Sequence, residues 1–108
     1  MSGIVHIDGK AVPWFEYGAA DGAPAPIRVK ALTARQVGVP PMQYVEYAPG
    51  HTDPVHHHDT DEFFIVTDGE IRLASDWHGA GSVVFVPKDT DYAVEAGPEG
   101  ARYYRVVV

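Results

Sequence analysis

Glycine and proline interrupt this chain so often that few segments between them are long enough for a helix. The 108 residues include 11 glycines and 9 prolines, spread along the sequence and not gathered in one tract. No window keeps an apolar repeat at helical spacing over about ten residues, and only residues 34–37 suit a single helical turn. The spacing therefore predicts short strands joined by turns.

Segments rich in β-branched and aromatic residues predict eight strands. Residues 27–33 alternate most clearly, with apolar side chains at Ile27 and Val29 and a charge at Arg28, which predicts one wet face. Short strands at regular spacing are typical of an antiparallel sandwich or small barrel. The predicted strands cover residues 4–7, 27–33, 42–48, 63–67, 70–74, 83–86, 92–95 and 102–108.

The length suits a single domain with one core. Residues 18–26 read Gly-Ala-Ala-Asp-Gly-Ala-Pro-Ala-Pro, a composition that predicts a surface loop. We therefore expect an N-terminal strand or arm and its loop over residues 1–26, packing on a β-barrel domain over residues 27–108.

Two runs, residues 63–66 and 83–86, are apolar at every position. A strand of this kind is buried on both faces, whereas a small barrel buries only the inner one. Either the aromatic N-terminal arm, with Trp14 and Tyr17, or a second copy of the chain must cover the outside. We favour the second and expect a homodimer.

The charge and the absence of cysteine exclude several function classes. A formal net charge of −7 disfavours nucleic acid and anionic membranes as partners. The basic residues, Arg102 and Arg105 among them, are scattered, which is typical of a solvated surface. Without cysteine, any metal needs nitrogen and oxygen ligands. The sequence has no signal-peptide or membrane-spanning stretch, so we expect a cytoplasmic location.

Four of the six histidines lie between positions 51 and 58. Residues two apart on a strand share a face, so His56 and His58 should point one way and His57 the other. Residues 59–61, Asp-Thr-Asp, favour a turn that brings Glu62 back to the same face. Two imidazoles and a carboxylate suit non-haem Fe(II), and can also hold Mn, Co, Ni or Zn. The other histidines, at positions 6, 51, 57 and 78, are expected to be strand or surface residues and not ligands.

The spacing of these residues resembles the first motif of the cupin family at every fixed position, namely Gly50, His56, His58, Glu62 and Gly69. Gly81 and Pro87 resemble the second motif, which is degraded here. Asp89 stands where the family usually has glycine, and Tyr92 stands where it has a fourth metal-ligand histidine. The resemblance implies an all-β, antiparallel jelly-roll barrel with a metal inside, often dimeric.

Tyr92 is therefore the most informative departure, and three interpretations compete. It is the fourth metal ligand, or a catalytic acid/base and hydrogen-bond donor to substrate, or a core residue. We favour the second, because an ion with three protein ligands keeps more positions open for substrate and oxygen.

The same parity places Phe64, Val66 and Val94 inside the barrel as the lining of a substrate pocket. The candidate polar contributors are one of Gln43 and Tyr44, and one of Tyr103 and Tyr104, with the inward member of each pair left open. For both pairs, ordinary strand packing is the favoured interpretation.

The resemblance makes a metal-dependent oxygenase, similar to dioxygenases acting on small oxygenated metabolites, the leading hypothesis. The alternatives are a non-redox isomerase, cyclase or lyase with the metal as Lewis acid, and a non-catalytic ligand-binding or metal-binding module.

Overall fold

The structure is a computed structural model that describes residues 3–20, 22–34 and 38–108. Most of the helical turn expected at residues 34–37 lies outside these ranges. Within them, every regular element is a β-strand, and none of the described residues forms a helix long and apolar enough to span a membrane. The strands are β1 (Phe15–Tyr17), β2 (Ile27–Thr33), β3 (Met42–Tyr47), β4 (Glu62–Leu73), β5 (Asp76–Gly79), β6 (Val83–Val86) and β7 (Val94–Val107).

All seven strands join one antiparallel sheet in the order β1-β2-β3-β7-β4-β5, with β6 paired to β4. β4 is the central element, since it pairs with β5, β6 and β7. β3 pairs with β7, so segments that are far apart in the sequence become neighbours in the sheet. The predicted all-β antiparallel fold is confirmed.

Two long strands replace four short predicted ones. Most of the predicted strands at 63–67 and 70–74 lies in the single β4, and most of those at 92–95 and 102–108 lies in the single β7, which begins at Val94. Register shifts at residues 66/68 and 69/71 mark irregularities in the β4–β7 pairing. The strand predicted at 4–7 is wrong, and β5 was not predicted because its sequence, Asp-Trp-His-Gly, has no β-branched residue.

Gly69 explains why β4 continues where the sequence suggested a turn. Its φ is +65°, and a Cβ added there would stand 2.1 Å from the carbonyl oxygen of Gly100. Glycine at this position allows both the left-handed backbone and the close approach of β7. The pairing register shifts next to Gly69, and the strand stays paired with β7.

The core lies on the inner face of the sheet. On β4, Glu62, Phe64 and Val66 are buried, while Phe63 and Ile65 are only half-buried. The neighbouring strands contribute the other buried side chains of this face, which include Val45, Tyr47, Val86, Val94 and Tyr103. One core therefore serves the whole barrel, and among the described residues Glu62 is the one buried carboxylate in it.

The outer face of β4 and β6 carries exposed apolar side chains. Phe63 packs against Phe85 at 5.0 Å between ring centroids, while Phe85 is 48% and Val83 61% exposed. The N-terminal arm packs elsewhere, because the Trp14 ring lies against Tyr44, 5.8 Å between centroids. The arm is therefore not the cover for these runs, and within one copy of the described chain they are not buried on both faces.

Candidate metal centre

The loop before β4 holds the two predicted imidazole ligands. His56 pairs with Tyr92 in an isolated antiparallel bridge, in which each backbone N–H donates to the other's carbonyl oxygen at 2.9 Å. Bends at residues 59–60 then turn the chain so that β4 begins at Glu62. Residues 56–58 form a loop and not the strand that the parity argument assumed, yet His56 and His58 still lie together.

The structure brings all four predicted site residues into one group. The ring centroids of His56 and His58 lie 5.1 Å apart, and those of His56 and Tyr92 lie 4.5 Å apart. The Tyr92 hydroxyl donates to Glu62 Oε1 at 3.1 Å, and His58 Nε2 is 3.9 Å from the same oxygen. Glu62 is 1% exposed.

The residues fit a divalent cation by donor chemistry. His56 Nδ1 donates to the carbonyl oxygen of Pro54 at 2.8 Å, which leaves the lone pair on Nε2. Such a contact orients a metal-binding imidazole and selects its tautomer. Across the described ranges, however, no three histidine or acidic groups stand close enough to form a preassembled metal cluster. Binding an ion therefore requires the side chains of His56, His58 and Glu62 to move closer together.

Arg105 is the site residue that the sequence interpretation missed. It was expected on the solvated surface, but its side chain is 20% exposed and its Nε donates to Glu62 Oε2. Its Nη1 also donates to Gln43 Oε1 at 3.3 Å. The two oxygens of Glu62 thus have different partners, with Tyr92 on Oε1 and Arg105 on Oε2. Strand parity puts Arg105 on the same face as Tyr103, but parity alone could not show that this face is the inner one.

Burial and the Glu62 charge oppose each other in their effect on the pKa of His58, but both raise the pKa of Tyr92. Burial lowers the pKa of His58, although the Glu62 carboxylate partly opposes that shift. Burial, and then the Glu62 charge, raise the pKa of Tyr92 above its ordinary value. In the absence of a cation, the site therefore favours a neutral imidazole and a neutral phenol.

The two open pairs are now resolved by register. Gln43 is opposite Arg105, and Val45 is opposite Tyr103, so Gln43 and Tyr103 share the inner face. Tyr44 and Tyr104 pack against each other on the outer face, with their rings tilted by 37° and their centroids 4.6 Å apart.

The three predicted pocket residues are all buried, but only one of them is close to the site by its ring contacts. Phe64 lies 5.8 Å from the Tyr92 ring and 5.3 Å from the Tyr103 ring, measured between centroids. Val66 and Val94 belong to the core. The structure therefore brings Phe64 to the candidate site and places the two valines among the core side chains.

The other residues of the motif differ from the ligand group. His57 is exposed and contacts Asp91 at 3.2 Å, as parity predicts. His51, expected to face solvent, is instead half-buried, with Nε2 3.0 Å from Asp53 Oδ1. Asp89 adopts a φ of +61°, so it supplies the left-handed conformation that glycine usually provides at this position of the second motif.

The model of the cupin domain family matches residues 43–107, more than half of the chain. The chain is a cupin. This cupin is also 34% identical over 62 residues to the dimethylsulfoniopropionate lyase DddW of Ruegeria pomeroyi, a match that covers 54% of this chain. The match spans only 41% of the length of that relative.

Solved structures resemble the whole cupin fold at low identity. An RmlC-like cupin from Ralstonia eutropha superposes with a TM-score of 0.81 at 19% identity, covering 96% of this chain and 68% of the other. A structure of Fe(II)-HppE with an alternative substrate superposes with a TM-score of 0.78 at 16% identity, covering 98% of this chain and 60% of the other. At these identities the likeness establishes the fold alone.

Proposed function

We propose that this cupin is a metal-dependent enzyme acting on a small oxygenated organic metabolite. His56, His58 and Glu62 would hold a divalent transition metal, with Fe(II) favoured and Mn, Ni, Co or Zn as alternatives. The observation that supports this most strongly is the grouping of two imidazoles with a carboxylate that is buried in an otherwise apolar core.

Tyr92 is proposed as the catalytic acid/base and not as the fourth ligand. Its hydroxyl already donates to Glu62 Oε1 at 3.1 Å, so it can hold a proton beside the ligand group and offer it to a bound substrate. Phe64 packs against the Tyr92 ring and limits water on that side. The ion itself would supply Lewis-acid polarisation of a substrate oxygen.

The grouping of Tyr92 with the ligand carboxylate favours acid/base chemistry, that is, a lyase or isomerase reaction. The likeness over 62 residues to the dimethylsulfoniopropionate lyase DddW supports the same choice. An oxygenase reaction is the second candidate, because two imidazoles and one carboxylate are the donor set of non-haem Fe(II) oxygenases.

Metal content tests the ligand assignment. The protein is purified without chelators, reconstituted with Fe(II), Mn(II) or Zn(II), and measured by elemental analysis. We expect about one equivalent in the wild type, and a loss in His56→Ala and His58→Ala. His57→Ala is the matched control, since it lies between the two ligands and is exposed. Less than about a tenth of an equivalent in the wild type, or an equal loss in the control, would refute the assignment.

Turnover with and without oxygen separates the two reactions. The loaded protein is incubated with a panel of substituted carboxylic acids, diketones, catechols and hydroxyketones. Product formed under anaerobic conditions supports the lyase or isomerase assignment, whereas oxygen uptake supports the oxygenase. Metal bound without turnover on any member of the panel would contradict the enzymatic proposal and favour a non-catalytic binding module.

The exposed apolar face of β4 and β6 supports a proposed homodimer. Val83 and Phe85 project from it, and the N-terminal arm packs against Tyr44 instead. Light scattering at micromolar concentration should give a dimer mass for the wild type and a monomer mass for Phe85→Glu. A monomeric wild type would refute this proposal. The division into an arm (1–26) and a barrel (27–108), like the cytoplasmic location, stays a prediction.

A further inference from the structure

Arg105 carries a positive charge into the wall of the candidate site, on the side of Glu62 away from the imidazoles. Glu62 Oε1 faces His58 and Tyr92, whereas Oε2 accepts from Arg105. Arg105 is opposite Phe64 on β4 and Gln43 on β3, so it lies on the inner face between these two strands. A group bound to Arg105 would therefore be separated from the proposed metal position by only the carboxylate of Glu62.

The charge of the site changes when the proposed ion binds. Without it, the carboxylate of Glu62 and the guanidinium of Arg105 cancel, and the aromatic and amide side chains around them are neutral. A divalent cation brings two positive charges. Glu62 cancels one of them, and Arg105 contributes a further positive charge. Because the imidazoles bind as neutral ligands, the loaded site keeps two positive charges. A partly buried site of that charge attracts an anion.

Arg105 also has hydrogen-bond donors to spare. A guanidinium presents five N–H donors, and among the described residues only Nε and Nη1 have partners, namely Glu62 and Gln43. No buried side-chain nitrogen or oxygen of the described chain lacks a partner, so the free donors of this 20% exposed side chain reach solvent. A ligand entering the site can meet them.

We propose that Arg105 selects substrates that carry a carboxylate, with a second oxygen on the adjacent carbon placed toward the ion. This rests on the proposed function, since it assumes that His56, His58 and Glu62 hold a divalent cation. The substrate class is thus a short hydroxy-acid or oxo-acid. Arg105 binds its carboxylate through the free guanidinium donors while Nε remains on Glu62, which keeps the ligand carboxylate oriented.

The test compares glycolate with its neutral isostere glycolamide on the Co(II)-loaded protein, by calorimetry and by the visible spectrum of Co(II). A hydrogen bond between charged groups contributes about 1.5–3 kcal/mol, so Arg105→Gln should weaken glycolate binding by roughly 10-fold to 100-fold. Glycolamide binding should change by less than about twofold. Arg102→Gln is the control, because it removes the same charge from the same strand at an exposed position paired with Glu46.

The outcomes separate the two proposals. A wild type that binds no Co(II) refutes the proposed function. A wild type that binds Co(II) but binds glycolate and glycolamide equally well refutes the role of Arg105. The role is also refuted if Arg105→Gln loses no more glycolate affinity than Arg102→Gln does, or if it loses affinity equally for both ligands. If Arg105→Gln does not fold, Arg105→Lys replaces it, since lysine keeps the charge but offers fewer donors. For Arg105→Lys, a loss of glycolate affinity of about threefold or more, with glycolamide affinity unchanged, supports the proposal. Unchanged affinities for both ligands refute it.

Discussion

Replacing Glu62 by glutamine should destabilise the metal-free protein strongly, because it removes the charge that Arg105 needs. Glutamine has the same shape, so the change opens no cavity. It leaves a guanidinium that is only 20% exposed without a counter-charge, and its amide group must face either Arg105 or Tyr92 with a donor against a donor. Breaking a buried ion pair costs about 3–5 kcal/mol, and the partial exposure of Arg105 points to the lower end, about 3 kcal/mol.

The measurement is chemical and thermal unfolding in EDTA, so that metal binding does not contribute. A loss of about 3 kcal/mol corresponds to a melting temperature lower by roughly 12 °C or more in a domain of this size. Glu46→Gln is the matched control, since Glu46 pairs with Arg28 and Arg102 on the outer face and should lose at most about 1 kcal/mol.

A double-mutant cycle isolates the pair itself. Arg105→Met alone leaves the buried carboxylate of Glu62 unpaired, whereas the double variant leaves no charge behind. The variant that combines Glu62→Gln with Arg105→Met should therefore lose about 2 kcal/mol less stability than the sum of the two single losses. A loss below about 1 kcal/mol in Glu62→Gln, or a coupling energy near zero, would show that the ion pair does not stabilise the fold.

Three further predictions concern separate features. Gly69→Ala should lose about 2 kcal/mol or more in chemical unfolding, because it combines a positive φ with a Cβ 2.1 Å from the Gly100 oxygen; a neutral result would contradict the close approach of β7. Tyr92→Phe should keep its metal while turnover falls by about 10²-fold to 10⁴-fold, with the outer-face Tyr104→Phe unchanged; lost metal would make Tyr92 a ligand, and unchanged metal and turnover would make it a core residue. The arginine partners lower the pKa of Glu46, so its stabilising contribution is complete above the pKa of the unfolded carboxyl and disappears as pH falls through the folded pKa. The stability gap between the wild type and Glu46→Gln should therefore shrink from pH 7 toward about pH 3, and a gap independent of pH would refute the reasoning.

The motif region was predictable from sequence because its geometry is local. His56, His58 and Glu62 lie within seven positions, and a short turn limits where the third side chain can go. The prediction that these side chains lie together holds although the assumed strand is wrong, because the two histidines lie in a loop. The bridge between His56 and Tyr92 keeps the group together.

Strand boundaries were less predictable around glycine. Gly69 predicted a turn, because glycine in a run of short strands is typical of one. Its function in the fold depends on Gly100, which is distant in sequence and becomes its neighbour only through the β4–β7 pairing. No local pattern distinguishes a turn glycine from one that lets a second strand approach.

The sequence by itself determined the all-β class, the exclusion of cysteine chemistry, and the spacing of the proposed ligands. The exclusion of cysteine chemistry follows from composition, and the other two follow from backbone geometry over a few residues, which sets where neighbouring side chains point. Only the tertiary structure decided that Arg105 faces Glu62, that Tyr103 points inward and Tyr104 outward, and that Phe85 stays exposed in a single copy. Those outcomes depend on strand order and register between segments far apart in the chain, where a shift by one residue exchanges the inner and outer faces.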